Sequence, residues 1–168
     1  SSGLQIIQSG GRASFHADKT IMNYLAIDNG AAGGIAYDAE PGIVEAMPMP
    51  DTVVDLADVL RHLKTKGCTT AFLEEIPKFA GPNGSAMIKL GIRYGEVRGL
   101  LAAFCFRVVE LPPKAWQKTL GLGVKKAYGT RWKAHLKERA QALYPHLSVT
   151  LKTADALLIL EAGKRTTV

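Results

Sequence analysis

At 168 residues, with 47% apolar and 21% charged residues and a formal net charge of +6, the chain has the length of one domain and a globular composition, which excludes a disordered polymer. No run approaches the roughly 20 apolar residues of a membrane span. Two cysteines, Cys68 and Cys105, exclude a disulfide scaffold and a four-thiolate zinc site; beside apolar segments they read as buried, reduced thiols in a reducing compartment.

Residues 1–21 lack periodicity and are rich in Ser and Gly. They are expected to be disordered or vector-derived, with no apolar core of a secretory signal, and the folded domain is expected over 22–165. An apolar run at 24–28 ends in Asp28-Asn29-Gly30, a turn signal, and two further strands are predicted at 33–38 and 43–47. Short turns between them imply an antiparallel meander. Asp51 or Thr52 can cap a helix to about residue 66, closed by Gly67. A fourth strand is expected over 69–76, a Gly/Pro/Asn loop over 77–84, a long helix over 85–104 and a fifth strand over 106–111. Pro112-Pro113 opens a helical turn, Gly121-Leu122-Gly123 a basic loop, and helices follow over 130–144 and 153–162, the last stopping at Gly163. This order gives an α/β fold: a mixed five-stranded sheet, three antiparallel strands and then parallel ones, with helices on both faces.

Three acids stand out by context. Asp28 ends an otherwise apolar strand, where it either starts a turn through its own backbone or needs a cation. Glu74-Glu75 interrupts the apolar fourth strand, and alternation lets only one of the two share a face with Asp28. Asp155 opens an apolar helix, a favourable first-turn position in its own right. Carboxylates from three distant elements are the ligands that hard divalent ions take, and two such ions can hydrolyse a phosphodiester.

The segments LAIDNGAAGGIAY, AFLEEIP, SAMIKLGIRYGEVRGLLAA, VVELPPKAWQKTLGLG and TADALLILEAGKR, in this order and spacing, resemble a Holliday junction resolvase of the RuvC type, most closely its phage and organellar branch, over about residues 22–165. The resemblance implies an RNase H-like fold, a homodimer, Mg²⁺ dependence with Mn²⁺ as a substitute, and paired symmetric nicking of four-way DNA junctions. No organic cofactor and no membrane partner are implied, and the place of action is cytoplasmic and DNA-associated, with an organelle left open. The resemblance carries the catalytic and metal-binding acids onto Asp28, Glu74 and Asp155, and its register selects Glu74 over Glu75. It departs at Lys152, three residues before Asp155, where the family usually has an acid or a histidine. Positions three apart on a helix share a face, which puts an ammonium beside Asp155. That ammonium would weaken a metal site by pairing with Asp155 or contact the scissile phosphate; a displaced helix start and an inactive or altered protein are the other readings.

Between residues 107 and 139, nine basic residues face two acids, a local excess of +7. Lys118, Lys125, Lys126, Arg131 and Lys133 are expected to contact DNA phosphates. Trp116 and Trp132, interleaved with them, are expected in the core, and Phe79, in the loop after Glu74, is a candidate junction wedge. Gly91, Gly95 and Gly99 recur every four residues on the long helix. Each costs about 1 kcal/mol relative to Ala, so another backbone is expected to approach there, either the protein's own sheet or a second subunit. Competing readings are an actin-like nucleotide-binding domain, suggested by Asp28-Asn29-Gly30 and Gly33-Gly34, a junction-binding protein without cleavage, and an RNase H-like nuclease acting on RNA.

Overall fold

The computed structural model describes residues 23–30, 32–76 and 84–167. The expectations for residues 1–21 and for Phe79 lie outside them. Five strands, β1 (Asn23–Asp28), β2 (Gly34–Glu40), β3 (Ile43–Pro48), β4 (Cys68–Glu74) and β5 (Arg107–Leu111), form one sheet in the order β3-β2-β1-β4-β5. β1 pairs antiparallel with β2 and β2 with β3, while β1, β4 and β5 run parallel.

Strand alternation divides the core in two. Leu25 and Ile27 of β1, Ile35 of β2 and Ala71 and Leu73 of β4 pack under α1 (Val53–Thr65) and α2 (Gly84–Ala103). Ala26, Ala36 and Phe72 face the other way. They pack with Trp116 of α3 (Pro113–Thr119), Trp132 and Leu136 of α5 (Trp132–Leu143), and the buried run Ala154–Leu160 of α6 (Ala154–Thr167). Helices therefore cover both faces, and both tryptophans are core residues, 1% and 5% exposed. Thr52 caps α1 by accepting from the Asp55 amide at 3.1 Å. Among the described residues no helix is long and apolar enough to cross a membrane.

Four expectations are corrected. The final helix does not stop at Gly163 but runs to Thr167. Gly163 serves packing instead, since a Cβ there would lie 2.4 Å from the Phe72 ring, so only glycine lets α6 lie flat on β4. Residues 125–131 are not loop but a short helix, α4 (Lys125–Tyr128), and a 3-10 turn leading into α5. Cys68 is buried, but Cys105 is exposed. Cys105 takes the left-handed position (φ 55°) that ends α2, with its own amide on Ala102 O and the Phe106 amide on Leu101 O, the double bond that reverses a helix C-terminus. Finally, of the two partners expected at Gly91, Gly95 and Gly99, the protein's own sheet is not met: among the described residues a Cβ at any of them meets nothing within 4 Å.

Candidate active site

β1 and β4 are parallel neighbours, so their C-terminal ends lie side by side. Asp28 and Glu74 are the last residues of the two strands and share the parity of Ala26 and Phe72, which places both on the α6 side. Glu75 follows the strand, with its amide on Leu111 O at 3.1 Å, and its charge acts on Tyr94 of α2, on the opposite face. Alternation thus separates the two glutamates, and Glu74 is the one beside Asp28.

The third acid arrives on α6. Thr150 and Thr153 lock the turn before that helix: the Thr150 amide donates to Thr153 Oγ1 at 3.0 Å and the Thr153 amide to Thr150 Oγ1 at 3.3 Å. Asp155 follows in the first turn, 6% exposed. The same turn carries Lys152, exposed and outside the helix, so the shared-face expectation for Lys152 and Asp155 fails. What Lys152 brings is its backbone, because a Cβ on Gly34 would lie 2.5 Å from Lys152 O; glycine at the start of β2 lets the turn close over the sheet. The cation beside Asp155 is Lys133 of α5, whose Nζ lies 2.5 Å from Asp155 Oδ2. The sequence places Lys133 among the bases expected to contact DNA phosphates; in the structure its side chain is 60% exposed and its ammonium pairs with Asp155.

Each carboxylate is oriented. Asp28 Oδ1 accepts the Gly30 amide at 3.0 Å, so Asp28 makes the expected turn as well as facing the cluster. Glu74 Oε1 accepts from Trp116 Nε1 at 3.0 Å. This second role of Trp116 carries no sequence signal beyond the general need of a buried indole for an acceptor. Asp155 Oδ2 is held by Lys133, while Asp155 Oδ1 is buried with no hydrogen-bond partner among the described residues. Burial, followed by the Asp28 charge, pushes Glu74 up to about 7, partly offset by the Trp116 hydrogen bond. Asp28 is also raised, by burial first and by Asp155 in addition, against the lowering effects of Gly30 and Lys133. Burial of the Lys133 ammonium pulls its pKa down, but the Asp155 hydrogen bond and the three surrounding carboxylate charges outweigh this and raise it.

Among the described residues, no three His, Cys, Asp or Glu side chains are gathered closely enough to form a ready metal cage. The donor set nevertheless fits a hard divalent cation: Asp28 and Glu74 raised by burial and by neighbouring carboxylates, oxygen-only chemistry, and a buried Asp155 oxygen with no hydrogen-bond partner among the described residues. Lys118, Lys125, Lys126 and Arg131 are exposed on α3, α4 and the turn before α5. The basic surface therefore borders the acids, since α3 also supplies Trp116 and α5 supplies Lys133. Beside it, Tyr128, 38% exposed, stacks on His135 with ring centroids 3.9 Å apart.

No family model and no curated protein matches the chain. Solved structures do. Thermus thermophilus RuvC in complex with a Holliday junction substrate aligns with a TM-score of 0.60 at 15% identity, covering 87% of this chain and 95% of that one. A second Thermus thermophilus RuvC structure aligns with a TM-score of 0.58 at 14% identity, covering 87% and 97%. At this identity the likeness is one of architecture: the chain has the RNase H-like fold of these RuvC structures.

Proposed function

We propose that the protein is a structure-selective DNA endonuclease that resolves four-way junctions by paired, metal-dependent phosphodiester hydrolysis. The observation that carries this reading is the convergence of Asp28, Glu74 and Asp155, from two parallel strand ends and a helix start, with one Asp155 oxygen left without a partner. The neighbour bound to a Holliday junction supports the substrate class. Asp28, Glu74 and Asp155 would hold Mg²⁺ or Mn²⁺, which supplies Lewis-acid charge and an acidified water. The chain's own residues set the stage for that chemistry. Gly30 fixes one oxygen of Asp28, and Trp116 fixes one oxygen of Glu74. Lys118, Lys125, Lys126 and Arg131 bind phosphates along the approach, and their counterion release makes affinity fall with salt.

Two symmetric nicks need two centres, and α2 offers a face for a second copy. Ile88 and Ile92 are 66% and 59% exposed, in one stripe with Gly91, Gly95 and Gly99. Because a Cβ at Gly95 meets nothing within 4 Å among the described residues, Gly95→Leu is expected to be tolerated by the monomer and to block only a close helix contact. Sedimentation of the wild type gives twice the 18.0 kDa chain mass, and Gly95→Leu shifts it to the monomer without lowering the melting temperature; a wild type that stays monomeric on junction DNA contradicts the dimer. The function is tested by incubating a labelled four-way junction, a linear duplex and an RNA–DNA hybrid with the protein, with and without Mg²⁺. Metal-dependent paired nicks in the junction alone support the reading. Binding without cleavage, or cleavage of the hybrid instead, overturns it.

A further inference from the structure

The Lys133 ammonium holds one of the acids to which the reading above assigns a divalent ion. Its Nζ contacts Asp155 Oδ2 at 2.5 Å, and its charge also acts on Asp28 and Glu74. The Asp155 charge acts on Asp28, and both charges act on Glu74, so these carboxylates repel one another unless a cation offsets them, and Lys133 is paired with Asp155. Two features suit it to a temporary stay. Its side chain is 60% exposed, against 8% for Asp155, so the head can leave without unpacking anything. Its backbone is fixed, because Trp132 and Leu136, on either side of it in α5, are 5% and 1% exposed. Only the side-chain torsions need change. Once out, the ammonium joins the exposed bases of α4 and α5, where a phosphate is the natural partner.

We propose that Lys133 is the resident cation of the metal-free centre: it holds Asp155 in place of a divalent ion and gives that oxygen up when metal binds. This rests on Asp28, Glu74 and Asp155 being the metal-binding acids. Lys133 is thus a positioning residue toward the metal. Metal loading costs the Lys133–Asp155 pair and releases a phosphate-binding charge toward the substrate.

Calorimetric titration of the DNA-free full chain with Mn²⁺ tests this. Lys133→Met should bind Mn²⁺ about tenfold more tightly than the wild type, a difference of one decade in the dissociation constant. Lys137→Met, which removes the same charge from the same helix without touching Asp155, should leave the affinity unchanged. In chelator, Lys133→Met should melt below the wild type, and Mn²⁺ should raise its melting temperature by more. Asp155→Asn separates the two layers of the claim. If Asp155→Asn weakens Mn²⁺ binding while Lys133→Met leaves both affinity and chelator melting unchanged, the resident-cation proposal is overturned and the metal site stands. If Asp155→Asn has no effect on Mn²⁺ binding, the metal-site reading falls and this proposal falls with it.

Discussion

The α6 face of the sheet carries two aspartate–lysine pairs, one at each end of the helix, and they differ in kind. Asp38 of β2 pairs with Lys164 in the last turn of α6, and Asp155 in the first turn pairs with Lys133. Burial does not distinguish them, since the two aspartates are 8% and 6% exposed. Their saturation does. Asp38 spends one oxygen on Lys164 and the other on the Tyr24 amide at 3.0 Å, so both are used. Asp155 has one oxygen on Lys133 and the other without a hydrogen-bond partner among the described residues, and its charge acts on Asp28 and Glu74. A buried acid whose oxygens are all satisfied ties a strand to a helix. A buried acid left short among like charges costs stability, and such sites are where function is found.

The comparison breaks most visibly in catalysis. Asp28→Asn and Asp155→Asn should each slow junction nicking by roughly a thousandfold or more, the scale of losing metal-borne charge stabilisation, whereas Lys164→Met should leave the rate of the folded protein unchanged. Stability should show the reverse. Lys164→Met strands a buried Asp38 oxygen and should cost about 2–4 kcal/mol in denaturant unfolding; Asp155→Asn should cost far less, because it relieves repulsion. If both variants lose stability equally and neither loses activity, the distinction between the two ends of α6 is wrong.

The pH dependence sharpens it. Folded, Glu74 titrates at about 7, against 4.5 for an ordinary glutamate. Between those values the native state binds the extra proton, so metal-free stability falls as pH rises and the loss is complete above about 7. Glu74→Gln should flatten that slope and stabilise the metal-free protein at pH 8 by about 2–3 kcal/mol, with little effect at pH 4; parallel melting curves for wild type and variant across this range would refute it. The smallest effect expected is that of Thr153→Ala, about 1 kcal/mol from the lost turn lock before α6, together with a slower nick as Asp155 loosens.

Much of this was legible before the structure. The strand and helix order followed from apolar runs between Gly and Pro signals, and strand alternation already required Glu74 and Glu75 to part. Two kinds of feature were not legible. Side chains that arrive through tertiary packing leave no local signature: spacing pointed to Lys152 as the neighbour of Asp155, but the Thr150–Thr153 turn carries Lys152 outside the helix, and α5 brings in Lys133 from 22 residues away. Glycines were also ambiguous. Gly163 reads as a helix stop and is a packing notch for Phe72, while a Cβ on Gly91, Gly95 or Gly99 meets nothing within 4 Å among the described residues.

The most direct test of the account is single-turnover cleavage of a four-way junction by wild type and Asp155→Asn, with junction affinity measured for both in Ca²⁺. The account predicts equal affinity, Mg²⁺-dependent paired nicks by the wild type and none by Asp155→Asn. Nicking by Asp155→Asn at the wild-type rate would contradict it.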